Sequence, residues 1–274
     1  PVLIRNPVIF STPSSITFAS TLDDVNIGQN SLVLHGETGI YLAGDVGVTT
    51  AFQSIAFEGP VGLNGSITIK SADGLIEFQS SIVVAQQAGV GLYALNLNAG
   101  LANIKLAGSI GFDGTLLNGV AVNKRLGEIS FNSPVIIGQN LACIARACDV
   151  ILATENKPIT FNAAVNDAVR GRHNLIISAG TSQVNLFAPL GSSAAFASLE
   201  VWGTVNMSAS VSTIGDQVYH NSIALKDAVT MTATTGNVVF EANVFGDGAS
   251  LIPRDMIQFL GNGDYLYNNT AYIA

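Results

Sequence analysis

Ile67-Thr68-Ile69-Lys70-Ser71-Ala72-Asp73-Gly74-Leu75-Ile76-Glu77-Phe78-Gln79-Ser80-Ser81-Ile82 is the stretch that decides the fold. It holds an apolar-x-apolar triplet, a polar corner with Gly, a second apolar-x-apolar triplet and, four residues on, one more apolar residue. Period two sends alternate side chains to opposite faces of a strand. Ile67, Ile69, Ile76 and Phe78 therefore share a buried side, and Thr68 and Glu77 a wet one.

The pattern recurs along the chain. Leu32-Val33-Leu34 leads to Ile40-Tyr41-Leu42 and Val46, and Leu95-Asn96-Leu97 to Ile104-Lys105-Leu106 and Ile110. Leu175-Ile176-Ile177 leads to Val184-Asn185-Leu186 and Leu190, and Val229-Thr230-Met231 to Val238-Val239-Phe240 and Val244. Weaker copies start at Val8, Val120, Val150 and Leu199, and Ile55-Ala56-Phe57 with Val61 is a spare half-copy. The anchors repeat every 28 residues or so, a period about that of solenoid repeats. A triplet cannot bury its apolar side alone, but stacked turns of chain place like residues above like and make a continuous core. Strand spacing then predicts an all-β parallel β-helix, a β-solenoid of about nine coils and roughly 40 Å. It spans residues 1–250, with 251–274 as a C-terminal cap or assembly tail. A propeller needs longer repeats for its four-stranded blades. A doubly wound α/β fold needs amphipathic helices, and the best helical candidate, Ser193 to Ser198, covers only a turn or two.

Composition agrees with strands and corners. Hydrophobic residues make up 48% and charged residues only 11%, and Gly numbers 28. That is too apolar for a disordered chain and too poor in Glu, Lys and Arg for long surface helices. The net charge is −8, and no Lys or Arg lies between Arg5 and Lys70. Nucleic acid needs a clustered basic footprint and is not an expected partner. The small clusters Lys124-Arg125 and Arg170-Gly171-Arg172 read as surface turns. No apolar run is long enough to span a bilayer as a helix, and no charged-then-apolar leader opens the chain. A start at Pro1 suggests a piece of something longer.

Cys143 and Cys148 are the two cysteines, and His35, His173 and His220 are scattered singly. That is a poor metal set. A local disulfide across Cys-Ile-Ala-Arg-Ala-Cys stabilises by about 2 kcal/mol on the chain-entropy model. Two reduced cysteines packed as small apolar groups are the alternative.

Ile214-Gly215-Asp216-Gln217-Val218-Tyr219, Ile223-Ala224-Leu225, Thr235-Gly236-Asn237-Val238-Val239-Phe240, Ile159-Thr160-Phe161-Asn162-Ala163-Ala164-Val165 and Ser178-Ala179-Gly180 resemble the repeats of filamentous-haemagglutinin-like exoproteins. The resemblance covers roughly residues 9–244. It implies a right-handed parallel β-helix exported to the cell surface or medium, with a role in adhesion or extracellular fibres.

Solenoids also carry polysaccharide lyases and tailspike-like depolymerases, so a glycan-active enzyme is the alternative function. Such sites gather several carboxylates on one face. Asp23-Asp24 is the one adjacent acidic pair and reads as a polar corner. Gly-x-Ser-x-Gly, His-Glu-x-x-His and phosphate-binding glycine motifs are missing. Gly261-Asn262-Gly263-Asp264 is a single copy of what calcium-binding repeats use in tandem, and reads as a turn. Asn64-Gly65-Ser66, Asn206-Met207-Ser208 and Asn268-Asn269-Thr270 match the glycosylation pattern at about its chance frequency. Trp202 lies beside a strand, where an outward ring covers surface or touches sugar. No catalytic residue, cofactor or metal is expected. The expected partners are another copy, head to tail, or a ligand on a host or cell surface. Tyr265, Tyr267 and Tyr272 crowd the last ten residues and suit a strand that covers the open end of the stack or pairs with the next subunit.

Overall fold

The structure, a computed structural model, describes residues 1–85, 93–111, 116–117, 120–121, 126–138, 148–246 and 258–260. Strands are numbered in chain order from β1 (Val2–Ile4) to β29 (Gln258–Leu260), and the described residues contain no helix. Three parallel ladders share the chain, because each turn visits three faces in order.

The first face stacks β2 (Val8–Thr12), β5 (Ser31–Gly36), β7 (Ser54–Glu58), β10 (Ile76–Phe78), β13 (Ile104–Leu106), β17 (Val135–Ile137) and β20 (Val165–Asp167). Leu190 bridges it onward to β23 (Val211–Thr213), β26 (Thr230–Ala233) and β29. The second stacks β3 (Ser15–Phe18), β6 (Gly39–Leu42), β8 (Val61–Leu63) and β11 (Ile82–Val84). Ile110 bridges it to β18 (Cys148–Ala153), and the first halves of β21 (His173–Leu186) and β22 (Ser198–Met207) lead to β24 (Gln217–Tyr219) and β27 (Val238–Phe240). The third begins with β1, β4 (Leu22–Asp24), Val46, β9 (Ile67–Lys70), β12 (Leu95–Asn98), β16 (Ile129–Phe131) and β19 (Ile159–Phe161). It ends with the second halves of β21 and β22, β25 (Ile223–Leu225) and β28 (Val244–Gly246).

The predicted β-solenoid of about nine turns is therefore the architecture, and the third face makes ten steps from Val2 to Gly246. Those 244 residues give about 24 per turn. The sequence anchors gave a longer period because they do not keep to one face. The copy at Ile67 starts on the third face, that at Leu32 on the first and that at Leu175 on the second. Val120 belongs to no turn: β15 (Val120–Ala121) pairs antiparallel with β14 (Leu116–Leu117) as a small excursion. The helical candidate Ser193 to Ser198 is a corner whose Phe196 is buried and bridges Thr213.

One buried column runs up the interior, from Ile4 through Leu34, Phe57, Phe78, Phe131 and Phe161 to Met231. Aromatic rungs stack along it, Phe57 on Phe78 at 4.7 Å and Phe131 on Phe161 at 5.2 Å.

The ladders expose a longer repeat. Residues 8–84 and 150–225 are two copies of one block of about three turns. Val8 and Phe10 correspond to Val150 and Leu152, Ile16-Thr17-Phe18 to Ile159-Thr160-Phe161, and Asp24 to Asp167. Gly47 and Phe52 correspond to Gly191 and Phe196. Backbone bonds match too: Gly28 N–H donates to Ala51 O and Gly171 N–H to Ala195 O, both at 2.8 Å. Phe52 bridges Ser71 as Phe196 bridges Thr213. Gly47 and Gly191 have φ of 72° and 71°, and a Cβ at either would sit 2.2 Å from a carbonyl oxygen of the next turn. Only glycine fits there. The second copy sits one face further round: β2, β5, β7 and β10 line the first face, and their counterparts β18, β21, β22 and β24 the second.

Candidate functional site

The acidic corner is structural. Asp23 and Asp24 are buried. Asp24 accepts from Asn30 N at 2.8 Å, Gln29 N at 3.2 Å and Asn30 Nδ2 at 2.6 Å, and Asp23 from Thr49 N at 2.9 Å. These carboxylates fold the corner and hold it to the next turn. Asp167 repeats the arrangement, accepting from Arg172 N at 2.9 Å and His173 N at 3.0 Å. Its other oxygen lies 2.5 Å from His173 Nδ1, and His173 Nε2 is buried with no partner among the described residues. Arg170-Gly171-Arg172 is this turn, as the sequence suggests.

Among the described residues the exterior carries an organised aromatic cluster on the second face near its corner with the third. Trp202 lies near the middle of β22, and pairing of Val201 with Tyr219 sets His220 beside it. The indole stacks on the imidazole, centroids 3.5 Å apart and planes 16° from parallel. Trp202 Nε1–H donates to Glu200 Oε1 at 2.8 Å. His220 Nε2 lies 3.0 Å from Glu200 Oε1 and Nδ1 2.7 Å from Glu241 Oε2, so either tautomer keeps one N–H···O bond and the imidazolium makes both. Trp202 is nonetheless 44% exposed. The sequence singled out Trp202 alone; Glu200 lies two residues before it on β22, but His220 and Glu241 come from the following turns, and only the register of the ladder reveals them. His35 makes a simpler pair, 3.3 Å from Glu58.

Among the described residues no three His, Cys, Asp or Glu side chains form a metal-holding group, and no helix is long and apolar enough to cross a membrane. Cys148 opens β18 opposite His173. Cys143, Lys124-Arg125, Gly261 to Asp264, Asn268 and the tyrosines Tyr265, Tyr267 and Tyr272 lie outside the described residues. Of the other two glycosylation matches, Asn206 is held in a ladder, its Nδ2 donating to Asn185 Oδ1 at 2.8 Å, and Asn64 is half-buried.

Comparison with family models, with curated proteins and with solved structures finds no match to this chain.

Proposed function

We propose that the chain is an extracellular structural and adhesive solenoid whose copies add head to tail. The first turn carries this reading. Val8, Phe10, Ile16 and Phe18 are only partly buried there, whereas their counterparts Val150, Leu152, Ile159 and Phe161 are covered by Ile110 and β16. The same block thus accepts a turn of chain beneath it in one copy, and the matching surface of the first turn is of a shape and chemistry that accepts one. Open strand edges invite a further strand, and exposed Leu3 and Ile9 widen the apolar patch around this one. A second copy supplies that turn from its C-terminal end, where β29 carries the first face beyond Gly246. A contact of this kind repeats without closing and builds a filament. A non-enzymatic role fits carboxylates such as Asp23, Asp24 and Asp167, which are occupied by backbone amides.

Deleting residues 262–274, and separately replacing Phe10 by Lys, should leave folded monomers by circular dichroism, light scattering and electron microscopy. Unchanged filaments in both variants, or a full-length chain monomeric at high concentration, would overturn the assembly. Export also implies a Cys143–Cys148 bridge. Mass analysis without reductant should find both sulfurs in one linked peptide, and free thiols in exported protein would count against it.

A further inference from the structure

We propose that Trp202 is the platform of a carbohydrate site that takes one pyranose ring of a neutral or amino-bearing glycan against the indole face opposite His220. This inference rests on the adhesive reading and gives it a ligand chemistry; it does not need the filament.

Indole orientation comes first. The bond from Nε1 to Glu200 fixes one edge, and the stack on His220 covers one face. A ring held on two sides neither collapses onto the sheet nor swings freely, so little ordering cost remains when a ligand arrives. Stacking runs along the ladder, so the other face looks away from β24 toward β21, where the residue paired with Trp202 is Ser178. A side chain as small as serine leaves that rung without a ring, although aromatic rungs elsewhere sit directly on one another. Here the exterior stack has two members, His220 and Trp202, and an unfilled third position.

The walls of that position are polar. Between Ser178 and Gln183 the register of β21 slips against β22, so that four residues face Gly203 alone. The extra chain forms a ledge beside the indole, with Thr181 and Gln183 exposed and Ser182 half-buried. Asn156 pins the ledge by accepting from Thr181 N at 2.9 Å and Thr181 Oγ1 at 3.2 Å. An apolar plate bordered by hydroxyls, an amide and a carboxylate suits a sugar, whose C–H face stacks on an aromatic ring while its hydroxyls bond at the edge. Glu200 and Glu241 set the sign. They favour an amine and disfavour an acidic sugar through like-charge repulsion.

The chain's single tryptophan is its own reporter. Full-length protein would be titrated with glucosamine tetramer, cellotetraose and tetragalacturonate while indole fluorescence is followed. A saturable change is expected for the first two, with Kd on the order of 1 mM for one stacked ring, and none for the uronate. Ser178→Phe fills the vacant rung from an outward position and leaves Trp202 and its partners in place. It should keep the fold by circular dichroism and weaken binding at least tenfold by calorimetry, as should Trp202→Ala. No saturable response to glucosamine tetramer or cellotetraose, equal response to the uronate, or undiminished binding by Ser178→Phe would overturn the site. Binding by a strictly monomeric chain sinks the assembly and spares the site, and filaments that ignore these sugars do the reverse.

Discussion

Tyr219 brings a hydroxyl into an apolar column. It is fully buried beside Phe240, and its Oη–H donates to Gln217 Oε1 at 3.1 Å, while Gln217 Nε2–H donates to Thr232 O at 2.9 Å. Burial pushes the phenol above its ordinary range, because a phenolate there loses its water. The folded pKa lies above the unfolded one, so this share of stability is whole below about pH 10 and is lost as pH rises further. Tyr219→Phe should remove that alkaline slope from unfolding curves. At neutral pH it should cost about 1–3 kcal/mol, since Gln217 Oε1 loses its donor. Residue type misleads at this position: Val218 alone of Gln217-Val218-Tyr219 is apolar by habit, yet it faces outward. The neighbouring rung decides, for Leu199 pairs with Gln217 and Val201 with Tyr219. Such a polar pair inside is legible only once the register is known.

Corners are the elements with the least sequence signal and the most specific chemistry. Asp24 fastens the turn between β4 and β5, and Asp24→Ala should leave the Asn30 amide and its side-chain Nδ2 unpaired in a buried place. The expected loss is about 3 kcal/mol, seen as a lower denaturant midpoint at unchanged m-value. A full midpoint would show that water replaces the carboxylate. The triplets were readable because burial on one side forces period two, and the structure keeps nearly all of those quoted as strands. What the triplets conceal is which face each occupies: an apolar-x-apolar strand looks alike on all three, so copies on different faces blur into one period. The strand pair β14 and β15 departs from the pattern: Val120-Ala121-Val122 reads as a triplet, yet Val120 pairs antiparallel with Leu117.

At the scale of the molecule, stability is close to a sum over turns and their neighbours. Among the described residues the first turn pairs on one side only, so in this 274-residue chain its amides are expected to exchange with solvent before those of β19 to β22, which have turns above and below. Hydrogen exchange read by mass spectrometry would check this, and uniform protection from β2 to β24 would mean that something already covers the open rung. Fold class was legible from the sequence because stacking is the only way such short strands bury their apolar sides. The exterior cluster was not, because Glu200, Trp202, His220 and Glu241 are spread over 42 positions and meet only across three turns.

The two blocks also settle how the molecule would carry more than one of anything. They begin five turns apart, one on the first face and the other on the second, about 24 Å along the stack at the usual strand spacing. A binding group grafted at equivalent positions of both would project in two directions from the same rod. Such a chain is bivalent toward ligands that surround it and close to monovalent toward a flat sheet of them, which separates avidity from affinity by geometry alone. A third block added with the same offset would complete the circuit of faces, and the rod would then read the same from every side.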